Sequence, residues 1–176
     1  MEQAYVLRLY DTDLLSFSLS EQGIEGLKAQ IHSIDEEDRA LFPLDLELTD
    51  DGLVKWLQRR VIPKNRAYVA EILKTHGLSV NDTKGIIDVC KGLSLNDSYW
   101  VVPQGFTGTF AQYNLYENRF SEILSLVAYT GIGQSDAAFT TSPELTTNGM
   151  LPKAIYRGRG HLSVQRRNLR RGQHRE

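Results

Sequence analysis

Apolar and polar residues alternate along residues 14–19, where Leu15, Phe17 and Leu19 recur at every second position, and residues 5–10 form an apolar run broken only by Arg8. Asp11, Thr12 and Asp13 separate the two runs, so the pair on either side of a short polar break predicts a β-hairpin. Residues 27–34 alternate more weakly and are expected to add a third strand. The cluster Asp35, Glu36, Glu37 and Asp38 reads as a solvated turn. Residues 41–48 alternate once more, with Pro43 restricting them to an edge strand or an extended segment.

From residue 49 onward the period becomes helical. Thr49 or Asp50 can cap a segment with Leu53, Trp56, Leu57 and Val61 on one face, which Pro63 ends. Asn65 is placed to cap a second helix with Val69, Ile72 and Leu73 inward and Gly77 just past its last turn. Asn81 or Asp82 opens a third, carrying Ile86, Ile87, Val89 and Cys90 and closed by Gly92. Residues 99–102, before Pro103, read as a short strand or core plug, and 105–109 as a loop. Residues 120–129 form a fourth helical segment ended by Gly131, and 140–149 read as extended or looped. Short helices with one apolar stripe each must pack on one another and on the sheet. The expected fold class is therefore α+β: an N-terminal β-hairpin or small antiparallel sheet packed with a cluster of about four short helices, followed by a disordered basic C-terminal tail.

Charge changes this picture. The formal net charge of −2 over 176 residues conceals two unlike parts. Residues 1–152 hold 12 Lys+Arg against 21 Asp+Glu, whereas residues 153–176 hold 8 against a single Glu. The first part is an acidic body, which repels phosphate backbones; the second is a basic tail with weak, salt-sensitive attraction for nucleic acid. No apolar run approaches the ~20 residues of a membrane span. Met1, Glu2, Gln3 and Ala4 carry no basic stretch with an apolar run behind it, so no secretory leader is expected. The single cysteine, Cys90, suits a reducing cytoplasm and reads as a small buried hydrophobe. The four histidines lack metal-ligand spacing, and no metal or other cofactor is expected.

Several segments carry chemistry to be weighed. Residues 56–66 gather Arg59, Arg60, Lys64 and Arg66 beside Trp56. They read either as an anion or partner contact at a helix–turn corner, or as a helix C-terminus whose dipole favours cations, with Trp56 in the core. Glu36, Glu37, Asp38, Asp50 and Asp51, together with Asp45 and Glu47, offer carboxylates to a basic partner if they share one face. Residues 92–100 are dense in turn formers before two aromatics and read as a self-satisfied turn. Residues 114–121 are suited to starting a helix and receive no chemistry. Residues 146–153 could shape a ligand loop or simply enter a strand.

Residues 56–66, 92–100, 114–120 and 142–153, occurring in that order, resemble the region before the kinase core of HipA-like serine/threonine kinases. The resemblance covers roughly residues 4–154 and fails from Ile155. There the family continues with a tryptophan and a Leu-Tyr-Lys-Gly-Gly-Thr-Ser-Gly segment. Residues 160–176, back-translated with permitted codons and read one base later, spell Leu-Tyr-Lys-Gly-Gly-Thr-Ser-Gly within a longer run. The resemblance thus implies a kinase-type N-terminal region over 1–154 and an out-of-frame Arg-rich tail over 155–176. The phosphate-loop lysine, catalytic aspartate and magnesium ligands of the family have no counterpart to be carried over. What is implied is a catalytically inactive remnant, not an enzyme, acting as a binding module for an unknown protein partner, with no membrane contact. The alternative is a mobile-element inhibitor, anti-CRISPR or otherwise anti-defence, that occludes a nucleic-acid enzyme through an acidic face.

Overall fold

The computed structural model describes residues 3–22, 26–118, 120–132, 143–146, 153–158 and 161–166. β1 (Gln3–Leu9) and β2 (Thr12–Gln22) form the hairpin that the alternation predicts, and β3 (Gly26–Ile34) pairs with β2. β4 (Tyr99–Pro103) returns to pair antiparallel with β1, giving the strand order β3-β2-β1-β4. The register sets Tyr5 opposite Phe17 and Leu7 opposite Leu15, which places their side chains on one buried face. A bulge between Leu7 and Arg8 leaves Leu14 as the extra residue of β2, so the adjacent Leu14 and Leu15 are both buried.

Five helices lie among the described residues: α1 (Asp50–Arg59), α2 (Val69–Lys74), α3 (Thr83–Cys90), α4 (Phe110–Tyr113) and α5 (Glu122–Thr130). Thr49, Asp82 and Ser121 cap α1, α3 and α5 by accepting the backbone N–H of Gly52, Gly85 and Leu124. Gly131, at φ +75°, closes α5 in the left-handed region where an L side chain is strained. The architecture is α+β, as the periodicities predict. One face of the sheet, with Tyr5, Leu7, Phe17, Leu19 and Val101, packs in a single core with Leu53, Trp56, Leu57, Ile72, Ile87 and Leu124 from the helices. The opposite face of β1 and β4 carries a second, smaller cluster. There Val6, Trp100 and Val102 meet Leu93, Phe110 and Leu115.

Three local expectations are corrected. Residues 42–48 form no strand: Pro43 has no N–H to donate, its carbonyl instead accepts from Leu46, and Phe42 and Leu46 turn inward while Leu44 faces solvent. The cap of α2 is Tyr68, at φ +59°, rather than Asn65, because a tight turn from Pro63 to Arg66 takes up that segment. Finally, β5 (Lys153–Gly158) and β6 (His161–Arg166) pair antiparallel, with β5 against α5, so part of the expected tail is a hairpin. The alternation Leu162, Val164 supplies the strand period there. Residues 167–176, and most of the expected loop at 140–149, lie outside the described residues.

Arg60, at the C-terminal end of α1, ties the helical layer to β4. Its guanidinium donates to both carboxylate oxygens of Asp97 (2.8 and 2.7 Å) and to the carbonyls of Gly92 (2.6 Å) and Tyr99 (3.0 Å). It also lies 4.4 Å from the centroid of the Trp56 ring. Replacing Arg60 by Ala strands a half-buried carboxylate and two carbonyls. R60A is therefore expected to lower the unfolding free energy in urea by about 3 kcal/mol or more, and R60K by less, since an ammonium keeps the charge without the planar fork. A loss below about 1 kcal/mol for R60A would remove the staple from this account. A second expectation concerns Cys90, whose thiol burial pushes up to about 11. Native protein should resist thiol reagents near neutral pH and react only on unfolding. Burial, with Asp88 accepting its hydroxyl proton, also raises the Tyr5 phenol. The fold thus holds both protons more tightly than the unfolded chain, so stability should fall as pH rises above about 8.5.

Candidate functional site, a carboxylate and tyrosine cleft

The cations of residues 56–66 are turned largely toward the body's own acceptors. Trp56 is 1% exposed and donates from Nε1 to the Asp45 carboxylate (3.2 Å). Arg60 forms the staple just described. Arg66 is 3% exposed and donates to the Glu144 carbonyl (2.6 Å); burial lowers its pKa, with Glu144 opposing. Arg59 and Lys64 are exposed, the first on Asp45 (3.2 Å) and the second reaching Asn81 (3.4 Å).

The acidic candidates run along the segment between β3 and α1. Glu36 pairs with Arg39 (2.9 Å) in full solvent, and exposed Glu37 donates its N–H to Asp35. Asp38 is half-buried, its carbonyl accepting from Leu41. Asp50 accepts the backbone N–H of Ile31 (2.8 Å), which fastens the start of α1 to the edge strand β3. Asp51 is exposed in the first turn of α1, where the helix dipole favours it. The Glu36 and Asp50 carboxylates thus have local tasks, whereas the contacts of Glu37 and Asp38 run through their backbone.

A different group converges instead. The β1–β2 turn at Tyr10 and Asp11, residues 96–98, and residues 110–117 enclose a cleft of about 540 Å³. The chain folds this way locally for identifiable reasons. Tyr10 donates its N–H to the Ser98 carbonyl (3.1 Å), and its own carbonyl accepts from the Trp100 indole. Asp11 accepts the N–H of Phe110 (2.7 Å) at the first turn of α4. The Asn114 side-chain oxygen accepts from the N–H groups of Tyr116 (2.9 Å) and Glu117 (2.8 Å), curling the chain after α4. Tyr116 closes the ring by donating its hydroxyl to the Asp97 carbonyl (2.8 Å).

Three carboxylates, Asp11, Asp97 and Glu117, line the cleft, and among the described residues none of its lining is Lys, Arg or His. Arg60 satisfies Asp97 from behind. Asp11 and Glu117 are exposed, and each engages one carboxylate oxygen locally, with Phe110 and with Asn114. Tyr10 and Tyr116 remain 57% and 40% exposed although both are large rings. Tyr10 packs edge-on against Phe110, with centroids 5.2 Å apart. Its φ of +51° is a conformation that bulky residues avoid. Partial burial, then the nearby Asp97, raises the Tyr116 phenol, so it stays a neutral donor. Carboxylates beside exposed ring faces attract cations and repel phosphates.

Tyr99 packs with the helical core, and its hydroxyl donates to the Leu41 carbonyl (2.7 Å); burial, then Asp97, raises its pKa. Leu41 and Leu44, in the segment before α1, are exposed. Sequence reasoning took residues 92–100 as a self-sufficient turn and residues 114–121 as a helix start. The available signal was a tyrosine adjoining a carboxylate, at Tyr10-Asp11 and again at Tyr116-Glu117.

Removing the Asp11 carboxylate in D11A frees the Phe110 N–H and should cost about 1 kcal/mol in a denaturant titration. E117Q should stay within about 0.5 kcal/mol, since its carboxylate is exposed and weakly tied. Equal losses in the two variants would contradict this division. Comparison with protein-family models, with curated proteins and with solved structures gives no match, so the functional reading rests on the residues of this chain.

Proposed function

We propose that this domain is a protein-binding module without phosphoryl-transfer chemistry, and that it docks a basic partner on the cleft between Tyr10 and Tyr116. One observation carries the reading: three carboxylates and two half-exposed tyrosines converge from separate segments. Tyrosine is favoured at protein interfaces because a rigid ring offers large contact area and a polar tip. The same carboxylates disfavour a nucleotide, whose phosphates would need cations, and among the described residues the cleft lining offers none. In this proposal the resemblance to HipA-like kinases reflects descent, and the chain is a catalytically inactive front region that retains a partner-binding role.

Exposed Asp45 and Glu47, adjoining exposed Leu41 and Leu44 in the segment before α1, favour a second, more specific reading. A carboxylate face flanked by apolar side chains suits an inhibitor that covers the phosphate-binding surface of a nucleic-acid enzyme, as an anti-defence protein would. Both readings predict that ATP·Mg²⁺ leaves the Tm unchanged. A rise of several degrees would overturn them, because a ligand that binds the native state must stabilise it. They separate when purified DNA- and RNA-binding enzymes are assayed with added protein. Loss of nucleic-acid binding that high salt reverses supports the inhibitor. A panel with no inhibited member removes it.

A further inference from the structure

We propose that the cleft takes an arginine side chain of a partner protein, with Tyr10 and Tyr116 flanking the guanidinium and Asp11 and Glu117 as its acceptors. This rests on the binding-module reading and specifies the chemistry of its ligand. Arg60 satisfies Asp97, so among the described residues the cleft charge without a cationic partner belongs to Asp11 and Glu117. These stand on separate segments, one in the β1–β2 turn and one beyond α4. A guanidinium carries five donors in a flat fork and can reach acceptors on two sides, whereas an ammonium concentrates its charge at one point. A flat cation also lies against ring faces, and the rings of Tyr10 and Tyr116 are the exposed apolar surface here.

The chain already holds one guanidinium by the same chemistry. Arg60 sits over the Trp56 ring while a carboxylate and two carbonyls take its protons. The cleft gathers tyrosines and carboxylates in the same way, with Asn96 and Ser98 also in its lining. Tyr10 stands at the rim with 57% of its surface in solvent, an exposed ring beside Asp11.

The test titrates ¹⁵N-labelled full-length chain with three blocked peptides, Ac-Gly-Arg-Gly-NH₂ and its Lys and citrulline counterparts. Citrulline keeps the planar shape without the charge. The arginine peptide is expected to shift the amides of Tyr10, Asp11, Asn96, Ser98, Tyr116 and Glu117. Binding should weaken by about tenfold with Lys and disappear with citrulline. Y10G retains the left-handed backbone while removing the ring, and E117Q removes a charge; each should weaken arginine binding by about tenfold. Lys binding in the cleft as tightly as Arg would overturn the inference and leave the basic-partner reading standing. Shifts confined to other surfaces, or none with any peptide, would overturn it as well. Cleft amides that move with protein concentration would assign the site to a second copy. Cleft amides that move in R170S or R171S without peptide would assign it to the chain's own basic residues. Either result displaces the partner arginine.

Discussion

Arg60 is where the separate parts of this fold meet, and its position follows from simple constraints. It stands just past the last turn of α1, where the dipole favours a cation, and its aliphatic stem crosses the rim of the core. With 9% of its side chain exposed, its charge has little water and must be satisfied by protein. The bidentate contact with Asp97 and the carbonyls of Gly92 and Tyr99 provides this, with the Trp56 ring beneath. Four stretches of chain are thereby joined: α1, the residues after α3, the 96–98 turn and β4.

The same contact positions the cleft. Asp97 is held rigidly by Arg60, and its carbonyl in turn accepts the Tyr116 hydroxyl, which draws residues 114–117 against the turn. Tyr10 is fixed from the other side through Ser98 and Trp100. Beneath them the smaller core cluster, with Trp100, Phe110 and Phe106 in edge-to-face contact, supplies a firm floor. A surface built on such a base presents its charges with little reorganisation, and pre-organisation of this kind favours binding.

Electrostatics then divides the molecule. In the body, cations are spent inward: Arg60 and Arg66 on buried acceptors, and Lys84 on Asp88 and the face of Tyr5. Lys91, half-buried, lies over Phe106 and Tyr113, and burial lowers its pKa. Carboxylates are left over at the surface as a result. The acidic exterior follows from the excess of 21 acids over 12 bases in residues 1–152, and the burial of Arg60, Arg66 and Lys91 adds to it.

The local layout was legible because local physics sets it. Alternation at Leu15, Phe17 and Leu19 marks β2, side-chain oxygens at Thr49, Asp82 and Ser121 start three helices, and Gly131 stops one. Each depends on neighbours within a few residues, where period and hydrogen-bonding type are sufficient. Where two local preferences compete, as at Pro43 and Asn65, the packed structure chose. The candidate site was not legible, since Tyr10, Asp97 and Glu117 lie far apart in the chain and each looks like ordinary turn chemistry by itself. The sequence determined the α+β elements and the acidic balance of the body. Tertiary structure alone decided which carboxylates remain in water and which cations they lose, because Coulomb attraction and desolvation depend on distance through space rather than along the chain.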